Sequence, residues 1–394
     1  MREVYFDYNA TTPLHPGVME AMKESLGIFG NASSAHRFGQ RARNAIEEAR
    51  KTLADFLGAG ADEIIFTSGG SESNNLVLKG VTCEGVICKA ADAKMGKHVI
   101  TTAIEHPSVL NPARCMESSG YRFTFLPVDD KGMIDPNDVK RAINRNTILI
   151  SVMTGNNEVG TIQPVAEIGE IAREHDIYFH TDAVQAVGKV PIDVDSLNVD
   201  YLSLSGHKFC GPKGVGALYV RKGSQICPLV HGGHQEHGRR GGTENTVGIV
   251  GLGRAVALLR EEMDEENQRV RALRDRLWAG IQERIDDIRL NGHPDERLPG
   301  TLNVSFLYIE GESILFRLEG LGIAISTGSA CSSGSLEPSH VLIAMGLPHE
   351  VAHGSIRFSL GRETTEEDVD YLLEHLPGVI RDLREMSPLY RSTQ

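Results

Sequence analysis

Between residues 63 and 220, short apolar runs alternate with helical stretches, and this alternation restricts the fold more than any other feature of the chain. "EIIFTS" (63–68) is strand-like, and "SESNNLVLKGV" (71–81) follows as a helix opened by a serine. "HVITT" (98–102) leads into "HPSVLNPARCMESSG", helical with an early proline, and "YRFTFLPV" is strand-like again. The apolar "TILISVM" (147–153), the amphipathic "VAEIGEIAREH" (165–175) and the runs "IYFHTDA" (177–183), "VDYLSLS" (199–205) and "VGALYV" (215–220) continue the pattern. Strands interleaved with helices imply βαβ units, so the expected product is an α/β unit around a mostly parallel sheet.

The pattern changes near residue 245. From there to about 288 the chain is charge-laced and helical, with Val270, Leu273, Leu277 and Ile281 on one face. This reads as a long helix leading into a second domain, where "TLNVSFLYI" and "IAISTGS" precede further helical segments. A length of 394 residues also exceeds one ordinary core. The net charge of −13 weighs against a nucleic acid or an anionic membrane as the main partner. "MREVYFDYNATTPLHPG" has no apolar run long enough for a signal peptide or a membrane span, so the chain is read as cytoplasmic. Cysteines at 83, 88, 115, 210, 227 and 331 are then expected as thiols. Cys83 and Cys88 have no second pair to complete a four-ligand zinc site.

Four stretches carry chemistry. In "SLSGHKFCGPKGVGALYV" (203–220), Lys208 sits just past a strand end, where α/β sheets bind ligands. A lysine there forms a Schiff base with a carbonyl compound if its pKa is lowered; alone, a solvated surface lysine is the commoner case. "FTSGGSES" (66–73) puts glycines and a serine between a strand and a helix, an anion site made of backbone N–H groups without the GKS/T of a Walker loop. "FHTDAVQ" (179–185) places Asp182 and Gln185 past another strand end, and a buried aspartate needs a cation, whether a pyridinium nitrogen, a Lys or an Arg. A phosphate cradle, an aspartate and a lysine in that order fit pyridoxal phosphate, which needs a lysine for its aldehyde and an acid for its ring nitrogen. The fourth stretch, "STGSACSSGS" (326–335), places Cys331 among residues that cannot pack a core. One decoy is set aside: "GLGRAV" (251–256) follows no strand and lacks the third glycine of a dinucleotide site. The three histidines of "HGGHQEHGRRGGTEN", three residues apart, suggest a metal site on spacing alone.

Taken together, "YFDYNATTP", "FGNASSAHRFG", "FTSGGSESNN", "EHPSVL", "NNEVGTIQP", "FHTDAVQAVGKVPID", "LSGHKFCGPKGVGALY", "RGGTEN", "STGSACSSGSLEPSHVL" and "SIRFSLGR" resemble the NifS-type cysteine desulfurases essentially end to end. "GSACSSGSLEPSHVL" is similar to the long-loop NifS/IscS group rather than to the SufS group. The resemblance implies the pyridoxal-phosphate-dependent transferase fold of type I. Its large domain has a mostly parallel seven-stranded sheet flanked by helices, and its smaller domain is α+β. On this chain the large domain would be 15–258, and 1–14 with 259–394 would form the small domain carrying the Cys331 loop.

The family's roles carry over by position. Lys208 would be the Schiff-base lysine and the proton shuttle at the substrate α-carbon. Asp182 would pair with the pyridinium nitrogen, Gln185 with the phenolic oxygen, and His106 would stack on the ring. Gly70, Ser71, Ser205 and His207 would hold the phosphate, with Thr243 reaching it from the other subunit of a homodimer. In place of a metal site, the resemblance thus implies that "HGGHQEHGRRGGTEN" is the loop carrying Thr243 to that subunit. Asn157 and Arg357 would hold the substrate carboxylate, Asn157 also touching the cofactor, and Asn9, Ala10 and Thr11 would line the pocket. Cys331 would attack the sulfur of bound L-cysteine, leaving L-alanine and a persulfide. A Gly/Ser loop suits a thiol that must reach in and then swing out. Because an unperturbed thiol has a pKa near ~8.5, a proton acceptor, His106 or the substrate itself, must assist. The expected acceptor is an IscU/NifU-like iron–sulfur scaffold protein or another sulfur acceptor, and Cys331 is also a candidate for a transient iron–sulfur (metal) ligand. A selenocysteine lyase or another enzyme of the same fold is the alternative. A nucleophilic thiol on a long loop counts against an aminotransferase.

Overall fold

In the computed structural model, which describes residues 2–83, 96–327 and 337–391, the strand-like runs form strands lying side by side. A short strand β1 (Val4–Tyr5) and helices α1 (Pro16–Ser25) and α2 (Arg37–Leu57) come first. The alternation then gives β2 (Ile64–Thr67), α3 (Gly70–Val81), β3 (His98–Thr102), α4 (Pro107–Glu117), β4 (Arg122–Leu126), α5 (Pro136–Ala142) and β5 (Thr147–Ser151). It ends with α6 (Val165–Glu174), β6 (Tyr178–Asp182), β7 (Tyr201–Ser205) and β8 (Gly216–Val220).

Strands β2 to β8 make one seven-stranded sheet in the order β2-β8-β7-β6-β5-β3-β4. The neighbours from β7 to β4 are parallel, and β8 runs antiparallel to both β7 and β2. The reversal follows from the connection. No α-helix separates β7 from β8, and the 206–215 segment is too short for a parallel crossover.

Alternate residues of each strand divide between two faces. Ile64, Ile150, Phe179 and Leu202 pack with α2, α6 and the next long helix, whereas Ile65, Leu149, Tyr178 and Tyr201 pack with α3 and α4. On the second face, side chains turn polar toward the C-terminal strand ends: Tyr178, then His180 and Asp182 on β6; Tyr201, then Ser203 and Ser205 on β7. His180 is bonded across the sheet to Ser151 Oγ (2.8 Å) and Ser203 Oγ (3.0 Å). Its burial pushes the imidazole pKa down to about 3.

The remaining chain is α7 (Thr246–Arg284), β9 (Ile288–Asn291), β10 (Thr301–Phe306), α8 (Gly311–Glu319), β11 (Ile323–Ala324) and β12 (Ser326–Thr327), then α9 (His340–Ala344), α10 (His349–His353), β13 (Ser355–Ser359), α11 (Glu366–Met386) and α12 (Pro388–Arg391). Its antiparallel sheet has the order β12-β13-β10-β9, and β1 pairs in parallel with β11. Ile249, Leu252 and Val256 of α7 belong to the first apolar core. Val270, Leu273, Leu277 and Ile281 belong to a second, with Leu302, Phe358 and Leu372. Full burial of a leucine or isoleucine contributes about 1.5–3 kcal/mol, so the helical stripe read from the sequence anchors this second core.

Candidate active site

A cleft of about 310 Å³ opens at the C-terminal ends of β6 and β7. Ten of the residues singled out in the sequence line it: Gly70, Ser71, His106, Asn157, Asp182, Gln185, Ser205, His207, Lys208 and Arg357, together with Asn9 and Ala10. They come from both sheets and from the N-terminal segment, so only the folded chain brings them together.

Asp182 ends β6 and is buried. Its Oδ1 accepts from the Val184 N–H (3.0 Å) and its Oδ2 from Asn74 Nδ2 (2.6 Å). Asn74 Nδ2 also donates to Ser108 Oγ (2.8 Å), which lies 2.8 Å from His106 Nδ1. A chain of polar contacts thus runs from Asp182 to His106. The backbone N–H of Ser108 donates to His106 Nδ1 (3.1 Å), capping α4. Nδ1 is therefore an acceptor, and the network assigns the proton of the neutral ring to Nε2. Burial holds the His106 pKa below its ordinary value; Asp182 opposes this, while Lys208 and His340 reinforce it.

The anion seat is the start of α3. Gly69 has φ +149° and offers no side-chain cap, which leaves the first amides of the helix available. At Gly70 a Cβ would stand 2.5 Å from Val184 Cγ2, so any side chain there would have to displace Val184. The Ser71 and Ser205 side chains belong to the same cleft. His207, 3.2 Å from Thr11 Oγ1, is kept neutral: burial, Lys208 and Lys213 push its pKa down to about 4.

Lys208 follows β7 in a tight turn, and its Nζ donates to the carbonyls of Asn9 and Ala10. Gln185 Nε2 donates to the same Asn9 carbonyl (2.9 Å). The opposite wall is Arg357 of β13, whose Nη1 donates to the Asn157 carbonyl (3.0 Å) and Nη2 to Asp7 Oδ1 (2.7 Å). Its buried Nε–H has no hydrogen-bond partner among the described residues. A guanidinium with unspent donors on the cleft wall suits an anionic substrate group.

One predicted residue stands apart. Thr243 is exposed and lines a separate depression with Ser68, Glu236 and Arg240 rather than this cleft. Arg240 is paired with Glu72 of α3 (2.9 Å). Cys331 lies outside the described residues, as does Cys88. The chain on either side of 328–336 is placed, however: Ser326 pairs with Arg357, and His340 Nε2 lies 2.9 Å from the Glu105 carbonyl, next to His106. Among the described residues, no group of three His, Cys, Asp or Glu side chains is arranged to hold a metal.

Asn74, Ser108 and Lys189 were not singled out in the sequence. Asn74 carried a signal, one helical turn beyond Gly70 on the same face of α3. Nothing in the sequence around Lys189 marked it. Nearby, Glu105 is wholly buried, and desolvation pushes its carboxyl up to about 8, with bonds from Thr102 and the Met153 N–H opposing.

Uncapped amides, a buried carboxylate and a lysine in one cleft fit a ligand with a phosphate, a protonatable ring nitrogen and an aldehyde, which is the donor set of pyridoxal phosphate. The comparisons with known proteins agree. The Aminotransferase class-V family model matches residues 4–372. A cysteine desulfurase IscS of Dictyoglomus turgidum is 56% identical over 388 residues, covering 98% of this chain and 97% of that one. A solved NifS-like protein superposes with a TM-score of 0.89 at 39% identity, covering 97% of this chain and 100% of that one. A structure titled SspA in complex with cysteine gives 0.77 at 41% identity, over 92% of this chain and 100% of that one. The chain is a member of the class-V aminotransferase family.

Proposed function

We propose that the chain is a pyridoxal-phosphate-dependent cysteine desulfurase that converts L-cysteine to L-alanine and carries the sulfur on Cys331. The observation that carries this reading is the convergence of Lys208, Asp182, His106 and Arg357 on one cleft that also holds the uncapped start of α3. When bound, pyridoxal phosphate supplies an aldehyde for the substrate amine and a ring that draws electrons from the α-carbon.

The residues of the chain supply the rest. The α3 amides with Ser71 and Ser205 bind the phosphate, Asp182 holds the ring nitrogen protonated, and Gln185 faces the phenolic oxygen. Arg357 binds the substrate carboxylate. Lys208 takes the α-proton at Nζ, and His106 exchanges a proton at Nε2. The substrate Cβ–Sγ bond breaks and the sulfur joins Cys331 Sγ. Of the two thiol protons, one remains on the persulfide and one ends in the methyl group of alanine.

The reading extends to assembly. Thr243, exposed and outside its own chain's cleft, completes the phosphate site of a second copy in a homodimer. Exposed Leu26, Phe29 and Phe38 offer an apolar surface for it, with Phe29 77% accessible. The persulfide passes to an iron–sulfur scaffold or another acceptor protein in the cytoplasm. No helix among the described residues is long and apolar enough to cross a membrane. The test is alanine released from L-cysteine, with reductant and pyridoxal phosphate, by the wild type and Cys331→Ser. Alanine from the wild type and almost none from the variant is expected. Equal alanine from both would favour a lyase that releases sulfur directly.

A further inference from the structure

We infer that Lys189 is a positioning residue that fixes Gln185 as a hydrogen-bond donor toward the cofactor, an assignment that rests on the pyridoxal-phosphate reading of the cleft. Lys189 follows Gln185 by one turn, and its Nζ donates to Gln185 Oε1 (2.8 Å) and to Asn9 Oδ1 (3.2 Å). An amide has one oxygen and one NH₂. With Oε1 accepting from Lys189 Nζ, the NH₂ is left to point the other way. It does: Nε2 donates to the Asn9 carbonyl, the same oxygen that Lys208 Nζ contacts. The cluster therefore presents N–H, never C=O, on the Lys208 side of Gln185.

Lys189 has no carboxylate partner among the described residues. Lys208, Arg357 and Cys210 act on it directly; burial brings its pKa down to about 7, the two cations adding to that and Cys210 opposing. It lines a cavity of about 60 Å³ with Tyr8, His15, Glu262, Glu266 and Arg362, where both glutamates are engaged by Arg362. A buried lysine without an ion pair is costly to keep. Here its protons are spent on orienting two amides of the site. In its protonated form, Lys189 behind Gln185 also favours negative charge on whatever oxygen that amide faces, and disfavours a proton bound nearby.

The experiment titrates apoprotein with pyridoxal phosphate for the wild type, Lys189→Met, Lys189→Arg, Gln185→Leu and the Lys189→Met/Gln185→Leu double variant. Binding and the pH midpoint of the yellow absorbance band are read for each. Lys189→Met is expected to weaken binding about tenfold and to raise the midpoint by about one pH unit. Lys189→Arg is expected to return the midpoint toward the wild-type value. In the Gln185→Leu background, Lys189→Met should change binding less than about twofold, because its target is gone. Wild-type binding and midpoint in Lys189→Met, or its full effect persisting without Gln185, would overturn the inference. A wild type that takes up no pyridoxal phosphate would instead defeat the reading of the cleft.

Discussion

Replacing Asn74 by alanine tests the polar chain beneath the cleft. Asn74 is 1% exposed and donates from one nitrogen to both Asp182 Oδ2 and Ser108 Oγ. Its orientation is fixed, since a flipped amide would set Oδ1 against the carboxylate. The variant leaves Asp182 Oδ2 buried without that donor and cuts the link from Asp182 to the Ser108–His106 pair. A hydrogen bond to a charged group contributes about 1.5–3 kcal/mol, so the apoprotein should lose about that much in a urea titration. If the same bond preorganises Asp182 for the ring nitrogen, pyridoxal phosphate should bind about 10–100-fold more weakly, at about 1.4 kcal/mol per factor of ten. Both are measured on one preparation, by denaturant midpoint and by absorbance titration of apoprotein. Stability within about 0.5 kcal/mol of wild type together with binding within about twofold would refute the argument.

Gly70→Ala should weaken pyridoxal phosphate binding at least about tenfold, because its Cβ meets Val184 Cγ2 at 2.5 Å; adding Val184→Ala should recover much of the loss in the same titration. Arg357→Lys keeps the charge but loses the planar fork, so KM for L-cysteine should rise about 10–100-fold, with a smaller change in kcat. Thermal stability should fall on both sides of a middle pH. Unfolded His180 takes up a proton below about 6.5 that the folded protein refuses until about 3, so stability is lost as pH drops through that window, and His180→Asn should flatten this limb. Folded Glu105 keeps its proton up to about 8, whereas the unfolded chain releases it near 4.5, so stability is lost as pH rises between those values. Glu105→Gln should flatten that limb, and an unchanged slope in melting temperature against pH would contradict the assignment.

What the sequence disclosed and what it withheld follow from the range of the interactions. The sheet strands and α3, α4 and α6 were legible because each is a local pattern of apolar spacing bounded by turn residues. The site residues at strand ends were legible for the same reason: Asp182 and Lys208 each follow an apolar run, and an α/β sheet binds ligands there. Strand β1 has two residues and no periodicity to detect; it exists because β11 pairs with it. The placement of Arg357 opposite Lys208 depends on β13 packing in the second core, which no local window contains. Lys189 was invisible because its meaning is two contacts, with Gln185 and Asn9, in a cavity formed by distant segments.

The parallel pairing of Val4 with Ile323, and the bridge from Asp7 to Ser359, also set a schedule for synthesis. Residues 4–7 leave the ribosome well before Ile323 and Ser359 and find these partners only once both have emerged. At about 5–20 residues per second, this leaves the N-terminal segment waiting roughly 20–70 seconds. Throughout that interval Arg357 is missing from the cleft wall, even if the seven-stranded sheet has already formed and taken up Asn9 through Gln185 and Lys208. A nascent chain stalled before Ile323 should therefore bind the substrate carboxylate poorly, because the complete cleft waits for β13 and not only for the first sheet.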